Sequence, residues 1–76
     1  MDWVLDVEGT YLPIEVKWTD APTMRDARHL QVFASEYPTF GQSIIICRTP
    51  ERMMLSPSIT ALPWQNFLDD LDALIR

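Results

Sequence analysis

The residues of this chain best suited to chemistry are two carboxylates and a lysine: Asp2, Glu15 and Lys17. Asp2 opens a segment in which Trp3, Leu5 and Val7 alternate with Asp2, Asp6 and Glu8, the period-two pattern of a strand. Glu15 and Lys17 lie in a second such segment, Tyr11 to Trp18, where Leu12, Ile14, Val16 and Trp18 share one face. Gly9-Thr10 between them suits a type II′ hairpin turn. That turn predicts Asp2 across from Lys17, Val4 across from Glu15, and Asp2 and Glu15 as diagonal neighbours on one face. Diagonal cross-strand partners lie roughly 7–8 Å apart, close enough for two carboxylates to share a hard divalent cation. Mg²⁺ typically takes one or two carboxylates and keeps several waters. A carboxylate-held metal activates water and stabilises charge in phosphodiester hydrolysis, and a nearby lysine orients that water or stabilises the developing charge.

The rest of the chain must position this group. The face carrying Trp3, Leu5, Val7, Leu12, Ile14, Val16 and Trp18 is expected to pack against helices. Pro13 cannot donate to a ladder, so its N–H side is expected at an open edge or an irregularity. Thr19–Pro22 reads as a loop. Thr23 with Asp26 fits a capping box that opens a helix to about Glu36, with an apolar stripe of Ala27, Leu30, Phe33, Ala34 and Tyr37. Residues 38–42 break it. Ser43 to Thr49 contains Ile44, Ile45, Ile46 and Cys47 in succession, which predicts a strand buried on both faces. After a turn at Pro50–Arg52, Met53–Leu55 and Ile59–Leu62 read as short strands. Pro63 suits the first position of a final amphipathic helix bearing Trp64, Phe67, Leu68, Leu71, Leu74 and Ile75, with Asp69, Asp70 and Asp72 on its wet side. The order is β-β-α-β-(β-β)-α, a mixed α/β (α+β) fold in a single domain spanning residues 1–76.

Size and charge narrow the function classes. A chain of 76 residues buries only about 60% of its unfolded surface. A single Cys excludes an internal disulfide framework, which leaves a metal or a partner chain as the expected support. The net charge of -5 argues against a protein that grips nucleic acid through a basic surface, and against an anionic membrane. No apolar run approaches the roughly 18 residues of a membrane span, and no secretory signal pattern is present, so the sequence points to the cytoplasm.

The ordered set of motifs carries a family resemblance. An Asp at a strand start followed by Ile14-Glu15-Val16-Lys17 on the partner strand resembles the PD-(D/E)XK nuclease signature. Asp2-Trp3-Val4-Leu5, Ile14 to Trp18, Asp26-Ala27-Arg28, Leu30, Ile45 to Pro50 and Ala61-Leu62-Pro63-Trp64 together look like the nuclease-like domain of unknown function at the C-terminal end of bacterial and archaeal AAA-type ATPases. The resemblance implies a truncated restriction-endonuclease-like core, with Asp2 and Glu15 as Mg²⁺ ligands, Lys17 beside them and Gln31 as an accessory polar residue. Members of that group carry a helix and a strand ahead of the Asp-bearing strand. The resemblance therefore implies that this chain corresponds to the tail of a longer protein, with an N-terminal ATPase and nuclease segment missing and a sheet edge left open. No Gly-x-x-x-x-Gly-Lys-Ser/Thr phosphate loop occurs in the sequence.

Two functions follow as expectations. The first is a nuclease-fold module without activity of its own that acts through interaction or oligomerisation, in its simplest form a homodimer joining two sheets. The second is Mg²⁺-dependent phosphodiester hydrolysis by Asp2, Glu15 and Lys17. The remaining polar and reactive residues read as structural: His29 on the solvent side of its helix, Cys47 in the core, Met53-Met54 at a core edge, and Arg25, Arg28, Arg48 and Arg52 as scattered surface charge.

Overall fold

The first hairpin turns one residue earlier than its sequence suggests. In the computed structural model, which describes residues 2–75, β1 (Trp3–Val7) and β2 (Thr10–Val16) pair antiparallel around Glu8 and Gly9. Both turn residues have positive φ, 54° and 84°. That is the type I′ pattern rather than type II′, and its twist matches that of the flanking strands. Asp6 Oδ1 accepts the Gly9 N–H at 2.9 Å and braces the turn from within. The register accordingly moves by two residues: Val4 lies opposite Pro13 rather than Glu15, and Trp3 opposite Ile14. A one-residue slip would have exchanged the two faces, whereas a two-residue slip leaves each side chain on the face predicted for it.

Five strands form one sheet in the order β1-β2-β3-β5-β4. β3 (Ser43–Cys47) lies at the centre, parallel to β2 on one side and to β5 (Ile59–Pro63) on the other. All five of its residues are buried, as an uninterrupted apolar run requires. β4 (Met53–Ser56) pairs antiparallel with β5 across a register shift between Met54 and Ser56. Met53 and Met54 are exposed on this edge strand and do not border the core as expected.

Pro13 is not on an open edge, because β2 is an interior strand. The Tyr11 and Lys17 N–H groups reach away from β1, to the carbonyls of Pro38 and Ile46. By the alternation of a strand, the Pro13 nitrogen faces the same way. It falls between the Pro38–Phe40 segment and the start of the β3 ladder at Ile14, where no donor is called for. The irregularity is what makes the proline tolerable.

A 3-10 turn, Met24–Ala27, leads into α1 (Arg28–Glu36). The Asp26 carboxylate accepts the Thr23 N–H at 2.9 Å, the reach-back half of the predicted capping box. Ala27 and Leu30 are buried against Ile45, Cys47, Ile59 and Ala61 on one face of the sheet. Ala34 and Tyr37 are exposed, so the buried stripe is narrower than its sequence implies, although the Tyr37 ring stacks on Phe33 at 4.7 Å. Pro63 closes β5 instead of opening a helix; a 3-10 turn, Trp64–Asn66, then leads into α2 (Phe67–Ile75). Phe67, Leu71 and Leu74 cover Leu12, Ile14, Ile44, Ile46 and Leu62 on the other face. Leu68, about 100° further round the helix from Phe67, is 70% exposed rather than part of that stripe. The Ile75 side chain, expected on the apolar face, lies outside the described residues.

The two helices are short, at nine residues each, and the sheet is wider than they can cover. Trp3, Leu5, Val7, Val16 and Trp18, predicted to pack beneath helices, are therefore exposed, and only Leu12 and Ile14 of that face are fully buried. No helix among the described residues is long and apolar enough to cross a membrane.

Candidate functional site

Asp2, Glu15 and Lys17 all lie in the region where the start of β1 runs beside the end of β2. Asp2 precedes β1, and its N–H donates to the Ile14 carbonyl at 3.0 Å. Its Oδ2 accepts the Val16 N–H at 2.7 Å, a short, charge-assisted bond. Asp2 is thus held against Ile14 and Val16, the two residues that flank Glu15. Both the backbone and the side chain of Asp2 are engaged.

Glu15 is 6% exposed, held between β1 and β3 on the face covered by α1, and paired in register with Ile45. Lys17, half-buried, places Nζ 3.9 Å from Glu15 Oε1, beyond hydrogen-bond length but near enough for a direct ionic attraction. Its N–H donates to the Ile46 carbonyl at 2.9 Å, which carries the ladder one residue past β2. Gln31 lies exposed on α1, and His29 is exposed on the same helix as predicted. Cys47 is a buried free thiol and belongs to the core.

The donors at this corner are hard oxygens, the type Mg²⁺ takes. One Asp2 oxygen is already committed to a backbone amide and one Glu15 oxygen faces an ammonium group. No group of three or more His, Cys, Asp or Glu able to hold a metal occurs among the described residues. The pair therefore matches Mg²⁺ in donor type and offers a minimal donor count.

A second cluster lies just past the C-terminal ends of the three parallel strands. Trp18 follows β2, Arg48 follows β3 and Trp64 follows β5. The Trp18 and Trp64 rings approach to 5.8 Å at a 50° tilt, and the Arg48 guanidinium lies 5.3 Å from the Trp18 centroid. The Thr19 carbonyl accepts the Arg48 N–H at 2.8 Å, which ties the segment after β2 to the end of β3. In the sequence alone, Trp18 falls on an apolar strand face and Arg48 reads as scattered surface charge. The shared location becomes visible only when strand directions are known, since the three residues are far apart in the chain.

These features define a mixed α+β domain: a five-stranded sheet with a parallel centre, antiparallel flanks and one short helix packed on each face. Residues 1–67 match the family described as Domain of unknown function (DUF4143), and the chain belongs to that family. No curated protein and no solved structure matches it.

Proposed function

We propose that this domain is an interaction module built on a PD-(D/E)XK nuclease-like scaffold of the kind associated with AAA-type ATPases, and that it joins a second copy of itself along β1. The observation that carries this reading is β1 itself: an edge strand with all five residues exposed, four of them apolar. Soluble folds normally protect such edges, and an exposed apolar edge is a template for another strand.

The occupant follows from the strand's own symmetry. Val7 and Thr10 close a two-residue turn, so their peptide groups bond within the hairpin. Alternation then turns the N–H and C=O groups of Val4 and Asp6 outward. A two-fold axis at Leu5 sets Val4 against Asp6 of the second copy, which satisfies all four outward groups on each strand. Trp3 then faces Val7 and Leu5 faces Leu5, apolar against apolar.

Sedimentation velocity on the whole chain tests this, with Val4→Pro as the critical variant. Proline there removes an outward donor and leaves the bonds to β2 intact, since Val4 makes none through its N–H. The expected result is a dimer for the parent chain and a folded monomer for Val4→Pro. A folded monomeric parent chain at high micromolar concentration rules the dimer out.

A second reading rests on Asp2 being hydrogen-bonded to Val16, the residue between Glu15 and Lys17. In that reading Asp2 and Glu15 would hold Mg²⁺, which would supply Lewis-acid activation of a phosphodiester; Lys17 would orient the attacking water, with Gln31 as an accessory polar residue on α1. Titration with Mg²⁺, followed by the amide shifts of Glu15 and Val16, tests it; unmoved shifts at millimolar Mg²⁺ reject it.

A further inference from the structure

We infer that Trp18, Trp64 and Arg48 form a binding platform for a nucleobase carrying a phosphate. Three independent features converge on it. The first is location: in open sheets with parallel strands, ligands bind outside the carboxyl ends of those strands, and the cluster spans the ends of all three. The second is exposure. Trp18 is 64% and Trp64 45% exposed, so two large rings meet each other in solvent instead of contributing to the core. The third is charge: Arg48 places a fixed cation over the Trp18 ring in a chain of net charge -5.

The geometry constrains how a ligand sits. At 5.8 Å the two indoles already form an ordinary aromatic pair, so a planar ligand cannot slide between them and must stack on their open surfaces. Arg48 covers part of Trp18, and its remaining N–H groups are available to phosphate oxygens. A bare hydrocarbon would use the rings and leave the cation without a counterpart. A bare phosphate would use the cation and gain nothing from the rings. A base joined to a phosphate uses both. The acidic remainder of the chain favours a ligand with few charges, such as a mononucleotide or the 5′ end of a single strand, over a long duplex. This inference requires neither the β1 dimer nor a metal at Asp2 and Glu15.

The test is a ¹H–¹⁵N titration of the whole chain, in which the three tryptophan indole N–H signals report separately. The probes are adenosine monophosphate, adenosine, inorganic phosphate and a short 5′-phosphorylated oligothymidylate. Adenosine monophosphate or the oligonucleotide is expected to shift the Trp18 and Trp64 indoles and leave Trp3 in place; which of the two binds tighter distinguishes a free nucleotide from a strand end. Trp18→Ala is expected to weaken binding roughly 5- to 150-fold, the range for loss of one stacked base. Arg48→Gln is expected to reduce adenosine monophosphate to the affinity of adenosine. Both side chains are exposed, so the amide spectra of these variants should otherwise match the parent. Trp18 and Trp64 signals unmoved by both nucleotide probes at several millimolar, Trp3 shifting equally, or inorganic phosphate binding as well as the nucleotide would each overturn the inference.

Discussion

Salt should tighten the β1 dimer, opposite to the response of an assembly held by ion pairs. Each chain carries a net charge of -5, and the molecule measures 32 × 25 × 21 Å. Two copies with centres about 25 Å apart repel by about 4 kcal/mol in unscreened water. A Debye length of about 30 Å at 0.01 M leaves about 1.8 kcal/mol of that, and one of about 8 Å at 0.15 M leaves about 0.2 kcal/mol. Raising the salt across this range therefore strengthens association by about 1.6 kcal/mol, roughly 15-fold in Kd. The Leu5 axis also brings the Asp2 end of each strand beside the Glu8 turn of the other copy, like charge near like charge at both ends. Glu8→Lys changes the net charge per chain from -5 to -3 and turns both ends attractive. The charge product falls from twenty-five to nine, so the salt effect should shrink to about a third, with tighter association at low salt. Sedimentation equilibrium at both ionic strengths measures the two constants. A Kd that rises with salt, or a Glu8→Lys chain with the parent's full salt dependence, would refute the β1 pairing.

Other expectations concern stability and local bonding. Glu8→Asn should stabilise the domain by about 0.5–1 kcal/mol, because Asn accepts positive φ more readily and Asn-Gly is the preferred type I′ pair; a rise of a few degrees in Tm is the readout. Ile45→Ala, at a fully buried site in the central strand, should cost about 2–5 kcal/mol in urea unfolding, a large share of the total for so small a domain. Asp2→Ala should speed hydrogen exchange at the Val16 amide by roughly 3- to 10-fold, and an unchanged rate would show that the 2.7 Å bond does not persist in solution. Cys47 should react with a thiol reagent only as fast as the domain opens, so the buried thiol gives a direct reading of unfolding.

Pattern and punctuation in the sequence reveal the element types. The Ile44–Cys47 run predicts a doubly buried strand, and β3 is one, because an unbroken apolar segment has no polar face to show solvent. The nearness of Glu15 and Lys17 was legible because residues two apart in a strand share a face. The register itself was not. Gly9 permits a turn as either its first or its second central residue, and the choice fell to Glu8 in a conformation that its residue type does not advertise. Burial along the hairpin was equally hidden: the alternation of Trp3, Leu5 and Val7 marks an apolar face but not whether a helix reaches it. The Trp18, Arg48 and Trp64 cluster was invisible for a different reason. It depends on β2, β3 and β5 running in the same direction, and no local pattern encodes that.

The central position of β3 also sets the order in which the chain can assemble. The β1–β2 and β4–β5 hairpins are local and can close on the microsecond scale. Val16 and Ile46, by contrast, must meet across the whole α1 connection. Pairing of this kind demands loop closure before it gives any return, which makes it the slow event. Until β3 inserts, each hairpin has a second open side and a vacant place the width of one strand. At high concentration the β3 of a neighbouring molecule can fill that place as well as the chain's own. Refolding yield should therefore fall with concentration, and the first traces of exchanged species should appear during folding and not after it.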